Sequence, residues 1–278
     1  MVKNFKRVLF VPLFLFSFFI QASGHGSENE MKKKIPQLNK DLEKSNLSLK
    51  SAASFQLGKY AKKNVEIQNI LRESGTLSLL VKALVNPWSD QTLKLDAIVA
   101  LCRATEGNAD SLTKIYTKRK VRIFSNLLKE KDYLIQRYAA RMLYTLARNG
   151  GGEDYFSEVN PVPNLVDLLR TPSFPGKNSL SYTLYFLLEN RPELKDQFEK
   201  VDFISLMRVI QNIDIVKELK SIALQVLEKN LVKDKDQIKK ISTKRKKKIF
   251  EKLAQSFDSK TQFYAKRILA LLKKHESH

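Results

Sequence analysis

The 278-residue chain carries 50 lysine and arginine residues against 29 aspartate and glutamate residues, a formal net charge of +21 at pH 7. Its hydrophobic content of 43% supports a folded core and excludes a wholly disordered chain. This charge favours an anionic partner, which leaves nucleic acid, an anionic membrane or an acidic protein. Only 9 glycines and 8 prolines interrupt the chain, and this scarcity favours an all-helical fold.

Residues 1–24 have the pattern of a secretory signal peptide. Lys3, Lys6 and Arg7 form a basic start, Val8 to Ile20 form an apolar core, and Ala22-Ser23-Gly24 supplies small residues for cleavage. The apolar core is shorter than the roughly 20 residues that span a bilayer. The sequence therefore predicts a secretory-pathway protein, lumenal in the endoplasmic reticulum or secreted, and periplasmic in a bacterium. An uncleaved membrane anchor is the alternative.

Residues 25–63 are predicted to form a polar leader and a capping helix. The segment is highly charged up to Ile35-Pro36, which marks a plausible helix start, and a helix is predicted over Leu38–Ala61. Asn46-Leu47-Ser48 is the one N-x-S/T sequon with a permitted middle residue. Asn46 is thus a candidate glycosylation site in a eukaryotic lumen.

From residue 64 to residue 274 a helical pattern recurs with a period of roughly 42 residues. In each unit a short helix precedes a medium helix, and a polar joint then leads to a longer amphipathic helix. The medium helices end at Leu84, Leu128, Leu169, Ile210 and Leu253. Because one unit cannot bury both of its apolar faces, the repetition predicts a stacked array. Residues 275–278 form a short tail.

This three-helix unit resembles the armadillo repeat, and the HEAT repeat is the near alternative. The residues that carry the resemblance are Gly75 with Leu80 and Leu84, Leu165 and Leu169, Ala97 with Leu101, and Ala139 with Leu143 and Leu146. The resemblance implies an all-α fold, a right-handed α-solenoid of about five armadillo-like repeats. Its long third helices would line a concave face.

Residues able to carry catalysis are scarce in the repeats. Histidine occurs only at positions 25, 275 and 278, so the repeats lack a histidine base or metal ligand. The run Asn149-Gly150-Gly151-Gly152 falls at a repeat boundary without a following Gly-Lys-Ser/Thr, and we predict a turn. Cys102, the only cysteine, lies in an apolar helical pattern and is predicted to be a buried thiol. We therefore predict a non-enzymatic protein without a catalytic residue, cofactor or metal site.

The concave face is the predicted binding surface. In armadillo proteins that hold extended peptides, an asparagine recurs on each third helix. By resemblance the matching positions here are Arg103, Thr145, Phe186, Lys229 and Leu271, none of them asparagine. The predicted partner-binding residues are Arg103, Arg137, Arg141, Tyr144, Tyr182, Tyr185, Phe186, Lys229 and Arg267. Arginine and tyrosine are frequent binding hot spots, and this mixture favours an acidic, folded or helical protein partner.

Two loops between medium and long helices carry aromatic residues. Asn86-Pro87-Trp88 and the segment from Pro172 to Gly176, which contains Phe174, occupy the same place in repeats one and three. The aromatic rings either grip a partner or pack against the next repeat.

Positive charge is concentrated near the C-terminus. Residues 232–278 hold fifteen lysines and arginines against five acidic residues, with the cluster Lys244, Arg245, Lys246, Lys247 and Lys248. The cluster has the composition of a nuclear-import signal or a nucleic-acid patch; a solvated basic turn before the last helix is the alternative. The signal peptide disfavours nucleic acid as the partner.

The segment Phe186–Gln211 is similar to a repeat of the armadillo nucleotide-exchange factors of BiP, the lumenal heat-shock chaperone. The resemblance implies a co-chaperone whose concave face wraps the chaperone's nucleotide-binding domain and loosens ADP. The chain departs from that family in its basic charge and in ending His-Glu-Ser-His, which is not a retention signal. Alternatives are a secreted or membrane-tethered scaffold for an acidic partner and a basic nucleic-acid-binding solenoid. Membrane contact is expected only through residues 1–24, if they remain uncleaved.

Overall fold

The computed structural model describes residues 27–149, 155–171 and 174–276. These residues form 17 α-helices, and no strand occurs among them. The predicted signal peptide, the three glycines at 150–152 and the pair at 172–173 lie outside the described residues.

The helices form one incomplete repeat followed by five repeats of three helices each. The incomplete repeat comprises α1 (Glu28–Glu43) and α2 (Leu47–Ala61). Repeats one and two comprise α3 (Val65–Glu73), α4 (Thr76–Val85), α5 (Gln91–Thr105), α6 (Ala109–Ile115), α7 (Lys118–Leu127) and α8 (Tyr133–Asn149). Repeats three to five comprise α9 (Tyr155–Val159), α10 (Val162–Arg170), α11 (Lys177–Asn190), α12 (Pro192–Glu199), α13 (Phe203–Gln211), α14 (Lys217–Lys233), α15 (Lys235–Ile241), α16 (Lys244–Leu253) and α17 (Ser259–Glu276). This arrangement confirms the predicted all-α solenoid of five repeats.

The segment before the first repeat holds two helices, where one helix after a polar leader was predicted. Ser27 begins α1 by accepting a hydrogen bond from the Glu30 N–H at 3.4 Å, and acidic residues in the first turn favour the helix dipole. Pro36 does not mark a helix start, contrary to the prediction, because it lies inside α1 on the exposed side. The charged residues of the supposed leader therefore form the solvent-facing side of a helix.

Side-chain caps fix where the repeated helices begin. Asn64 accepts a hydrogen bond from the Ile67 N–H at 3.0 Å at the start of α3, and Asn108 does the same for Ser111 at 2.9 Å at the start of α6. Gly75 joins α3 to α4 with φ of 76°, a left-handed conformation that glycine adopts without strain. The same helix starts thus recur at equivalent places of successive repeats.

The core runs continuously along the array because each third helix packs against the next one. The closest approach is between α2 and α5, where an added Cβ at Gly58 would lie 3.0 Å from the Ala100 Cα. Large buried side chains such as Phe124, Phe156, Phe198 and Phe250 fill the space under the first and second helices. Within the described part of the chain, no helix is both long enough and apolar enough to cross a bilayer.

A candidate protein-binding concave face

The third helices of repeats two and three enclose a cleft of about 380 Å³. Four of the predicted partner-binding residues line it: Arg137, Arg141 and Tyr144 from α8 and Tyr182 from α11. Their spacing along a helix of 3.6 residues per turn places the three α8 side chains on one face. The structure therefore brings these residues together in one depression.

Aromatic contacts join the two helices beneath this cleft. The Tyr144 ring meets the Phe186 ring edge-on, with centroids 4.9 Å apart, and both side chains are half-buried. Tyr182 makes a second edge contact with Tyr185 on its own helix at 6.4 Å. Rings held in this way present a rigid apolar surface beside the arginines, and little conformational entropy is lost when a ligand covers them.

Three of the predicted cations are already paired with carboxylates, two of them from the preceding repeat and one, Lys229, from the first helix of its own repeat. Ion pairs join Arg141 to Glu106 at 2.7 Å, Lys229 to Glu199 at 2.6 Å, and Arg267 to Glu228 at 2.9 Å. Arg103 and Arg137, in contrast, have no side-chain ion pair with any residue that the structure describes. Arg137 is also exposed, so it is the cleft's available positive charge.

Arg103 belongs to a smaller cleft of about 220 Å³ between α2, α5 and α8. Asp96 lies in the same cleft and accepts a hydrogen bond from the Ser51 hydroxyl. Burial raises the pKa of the Asp96 carboxyl, the Ser51 hydrogen bond opposes the shift, and nearby Asp90 adds to it. The N-terminal end of the concave face therefore offers a carboxyl beside the arginine.

Tyr185 lines a wider cleft of about 590 Å³ between α11, α14 and α17. Burial raises the pKa of its phenol, and the nearby carboxylates of Glu189 and Glu218 add to the shift. Lys195, Lys217 and Lys260 line the same cleft beside Glu189, Glu218 and Asp258, so its charges are mixed. Six of the nine predicted residues thus line these three clefts, four of them in the cleft between α8 and α11. Phe186, Lys229 and Arg267 line none of the three.

The basic cluster at 244–248 lies apart from the clefts of the concave face. The alternative of a solvated basic turn is wrong for these residues, because they form the first turns of α16, the second helix of repeat five. Lys246 Nζ donates to the Lys240 carbonyl at 2.6 Å and stands 5.3 Å from the centre of the Phe203 ring. Lys244, Arg245 and Lys248 are exposed.

The start of this cluster repeats an earlier stretch of the chain. Thr117-Lys118-Arg119-Lys120 begins α7 as Thr243-Lys244-Arg245-Lys246 begins α16, three repeats later. Lys120 Nζ donates to the Lys114 carbonyl at 2.9 Å, which matches the bond of Lys246. Burial lowers the pKa of Lys120, and nearby Lys114 and Arg119 add to the shift. The second lysine of this stretch, Lys120 or Lys246, therefore caps the C-terminal end of the preceding first helix in both repeats.

Cys102 is a buried thiol, as predicted. Burial raises its pKa to about 12, which the positive charge of Arg141 opposes. A thiol in this state is a poor nucleophile at neutral pH. Among the residues described, no three histidine, cysteine, aspartate or glutamate side chains are grouped closely enough to hold a metal ion.

Asn46 lies at an exposed helix start. Its Oδ1 accepts a hydrogen bond from the Leu49 N–H at 3.0 Å and so caps α2. The Nδ2 atom, where a glycan would be attached, makes no bond within the described part of the chain. Glycosylation of Asn46 stays a prediction.

The aromatic side chains of the two loops differ in their exposure to solvent. Trp88 is largely exposed, whereas Phe174 is buried against the array. Packing against the next repeat is therefore wrong for Trp88, whereas the Phe174 ring is buried beside the cleft between α8 and α11.

Several solved structures with a similar fold are designed armadillo repeat proteins. A designed armadillo repeat protein has a TM-score of 0.56 at 20% identity over 86% of this chain and 99% of its own. Computationally designed armadillo repeat proteins for modular peptide recognition give 0.60 at 18% identity over 85% and 99%. The fold is armadillo-like. A further designed armadillo repeat protein, in complex with the peptide (KR)4, gives 0.57 at 18% identity over 86% and 99%. No family model and no curated protein matches the chain.

The armadillo-like array also contains functional candidates that sequence reasoning missed. Glu106, Glu199 and Glu228 pair with three of the predicted cations from positions 30 to 39 residues away. No local sequence pattern predicts these pairs, because the stacking of repeats creates Glu106–Arg141 and Glu228–Arg267, and the folding of repeat four creates Glu199–Lys229. The Thr-Lys-Arg-Lys repetition, in contrast, becomes visible when repeats two and five are aligned residue by residue.

Proposed function

We propose that the protein is a non-enzymatic binding solenoid whose concave face holds an acidic segment of another protein. The cleft between α8 and α11 carries this proposal, because an exposed arginine without an ion pair stands beside fixed tyrosines. An entering carboxylate would meet Arg137 directly, and would compete with Glu106 for Arg141. A charge-assisted hydrogen bond of this kind contributes about 1.5–3 kcal/mol.

The sign of the charge suggests what the cleft selects. One structurally similar designed protein is in complex with a basic peptide, (KR)4. The cleft in this chain presents arginines instead, so we expect it to select the opposite charge. Aromatic side chains in the ligand would add contacts with Tyr144 and Tyr182.

The test is a titration of the full chain with two fluorescein-labelled peptides, one of four Glu-Tyr pairs and one of four Lys-Arg pairs. We expect the acidic peptide alone to bind, and Arg137→Met to weaken its binding about tenfold, since 1.4 kcal/mol corresponds to a factor of ten. The matched control is Arg122→Met, which removes an exposed arginine from α7, a second helix. Equal losses from both variants would show that net charge alone attracts the peptide, and the proposed site would then be wrong.

We further propose that residues 1–24 direct the chain into the secretory pathway. The n-region and apolar core of that segment are the support. N-terminal sequencing of the mature protein, together with its localisation, is the test. A mature protein that retains residues 1–24 would favour the membrane-tethered scaffold, and nuclear staining would favour the nucleic-acid-binding alternative.

Within this proposal the lumenal heat-shock chaperone remains the leading candidate partner. Its support is the resemblance of Phe186–Gln211, a segment that covers the end of α11, α12 and α13. Only Phe186 in this segment belongs to the aromatic contacts of the cleft. Capture of the chaperone by the full chain and faster ADP release are the expected results. Failure of both leaves the secreted scaffold for another acidic protein.

A further inference from the structure

The three most exposed large apolar side chains of the described residues all lie in one class of loop. Trp88 is 82% exposed, Ile213 is 89% exposed and Phe257 is fully exposed. Each lies between the second and third helix of its repeat, in repeats one, four and five. Because these loops occupy the same place in every repeat, they follow one edge of the solenoid, which we name the loop edge.

The loops hold these side chains outward by a shared backbone arrangement. In each loop a polar side chain accepts a hydrogen bond from the N–H two residues later: Asn86 from Trp88 at 3.0 Å, Asn212 from Asp214 at 2.9 Å and Ser256 from Asp258 at 3.2 Å. Adjacent residues anchor the loops, since Ser89 and Ile215 are buried. The exposed apolar groups therefore stand on fixed turns and contribute little to the core.

Lysines surround the two apolar tips of repeats four and five. Lys217, Lys252 and Lys260 are exposed, and Lys220 is half-buried. Burial works against ionisation of Asp258, but the Thr261 hydrogen bonds and the ammonium groups of Lys217 and Lys260 keep the pKa of its carboxyl low. Burial lowers the pKa of Lys220; Asp214 opposes this shift, and Lys252 adds to it. The four lysines thus lie near the carboxylates of Asp214 and Asp258, and Glu189 and Glu218 line the same cleft as Lys217 and Lys260. The local charges are mixed, and the net charge of +21 of the whole chain favours an anionic surface.

We propose that the loop edge docks on the surface of an anionic lipid bilayer. Trp88, Ile213 and Phe257 would enter the interfacial layer, while Lys217, Lys220, Lys252 and Lys260 would contact lipid headgroups. Aromatic and apolar residues on loop tips suit the interface, and lysine stems extend along it with the charge in water. Each lysine near an anionic surface adds to the attraction.

The arrangement favours a membrane over a protein partner. Protein hot spots cluster in one contiguous, desolvated patch. Here the apolar tips are single side chains on separate loops of repeats one, four and five, and they do not form one contiguous patch of a single loop.

The chain provides its own reporter, because Trp88 is its only tryptophan. The full chain is mixed with phosphatidylcholine vesicles, with or without phosphatidylglycerol, and a second set carries brominated acyl chains. With the anionic vesicles we expect the Trp88 emission to shift to shorter wavelength and to be quenched by bromine. Unchanged emission in anionic vesicles would overturn the proposal. This readout is specific to the loop edge, so residues 1–24 cannot produce it by anchoring the chain elsewhere.

Variants locate the contact. Phe257→Ser and Ile213→Ser are each expected to lower the vesicle partition coefficient about tenfold, since burying such a side chain contributes at least about 1.4 kcal/mol. The controls are Phe55→Ser on α2 and Ile204→Ser at the other end of α13, both exposed residues of the same types. Controls that bind like the wild type support the loop edge. The proposal would be overturned if the control variants lost as much vesicle binding as the loop-edge variants. It would also be overturned if the loop edge bound a protein while vesicles left the Trp88 emission unchanged.

Discussion

Gln68 joins three helices at the N-terminal end of the array, and its replacement by methionine tests how the first repeat is held. The side chain is fully buried on α3. Its Nε2 donates to the carbonyls of Ala61 at 3.1 Å, Arg103 at 2.9 Å and Glu106 at 3.2 Å. These carbonyls lie at or just beyond the C-terminal ends of α2 and α5, where the helix itself leaves them without donors.

The expected loss follows from the number of available protons. Two N–H groups serve three carbonyls, so about two full hydrogen bonds are removed, each contributing about 1 kcal/mol. Unpaired buried carbonyls add to this loss, whereas apolar methionine relieves the Gln68 Oε1, which has no partner in the described structure. We expect a net destabilisation of about 2 kcal/mol, because these two further effects oppose each other.

Amide hydrogen exchange measures this loss locally. A change of about 2 kcal/mol predicts roughly 30-fold faster exchange in α2 and α3, at 1.36 kcal/mol per factor of ten. Helices α14 to α17 should keep their rates, since each repeat contacts only its neighbours. Gln225→Met, at an exposed position on α14, is the control and should change little. Unchanged exchange in Gln68→Met, or a uniform increase along the chain, would refute the reasoning.

Three further predictions concern single residues. Phe250→Ala should destabilise the last repeat by about 3–5 kcal/mol in urea denaturation followed by circular dichroism, whereas Phe257→Ala, at an exposed position, should change it little. Cys102 should react with a thiol reagent at pH 8 more than about 100-fold more slowly in the folded protein than in urea, because burial raises its pKa to about 12; fast labelling would contradict this. Asp96→Asn should be more stable than the wild type at pH 7, and this difference in stability should be smaller at pH 3. The raised carboxyl pKa means that the folded state favours the protonated form, so wild-type stability falls as the pH rises through the range between the unfolded and folded pKa values. The prediction for Asp96 would be contradicted by a variant that is less stable than the wild type at pH 7 but not at pH 3.

The repeat body could be predicted because its apolar pattern is local and periodic. The second helices end within one residue of the predicted positions, as at Val85 for Leu84 and at Leu253 itself. The beginning of the fold was harder, because the charge of residues 28–34 concealed an amphipathic helix whose buried side rests on Ile35 and Leu42. One capping serine and two acidic residues in the first turn favour a helix here, although the segment is polar.

The sequence predicts which residues share the concave face, but it does not predict which of their charges are already paired. Helical spacing alone places Arg137, Arg141 and Tyr144 together. Which of the cations is already paired depends on carboxylates brought close by the neighbouring repeat, as for Arg267 and Glu228. Such pairs follow from the stacking distance and rotation between repeats, which the sequence of one repeat does not specify. The exposure of Trp88 and the burial of Phe174 differ for the same reason.

The contact between Gly58 and Ala100 also determines where a ligand can be held. Small residues allow α2 and α5 to approach until their backbones nearly touch, so little space remains between these neighbouring third helices. Further along, the rings of Tyr144 and Phe186 separate α8 from α11. Side-chain volume along one row of helices therefore narrows the concave face to a cleft of about 220 Å³ at its N-terminal end and widens it to about 380 Å³ at repeats two and three. Exchange of these volumes would move the cleft along the array without altering a single charge.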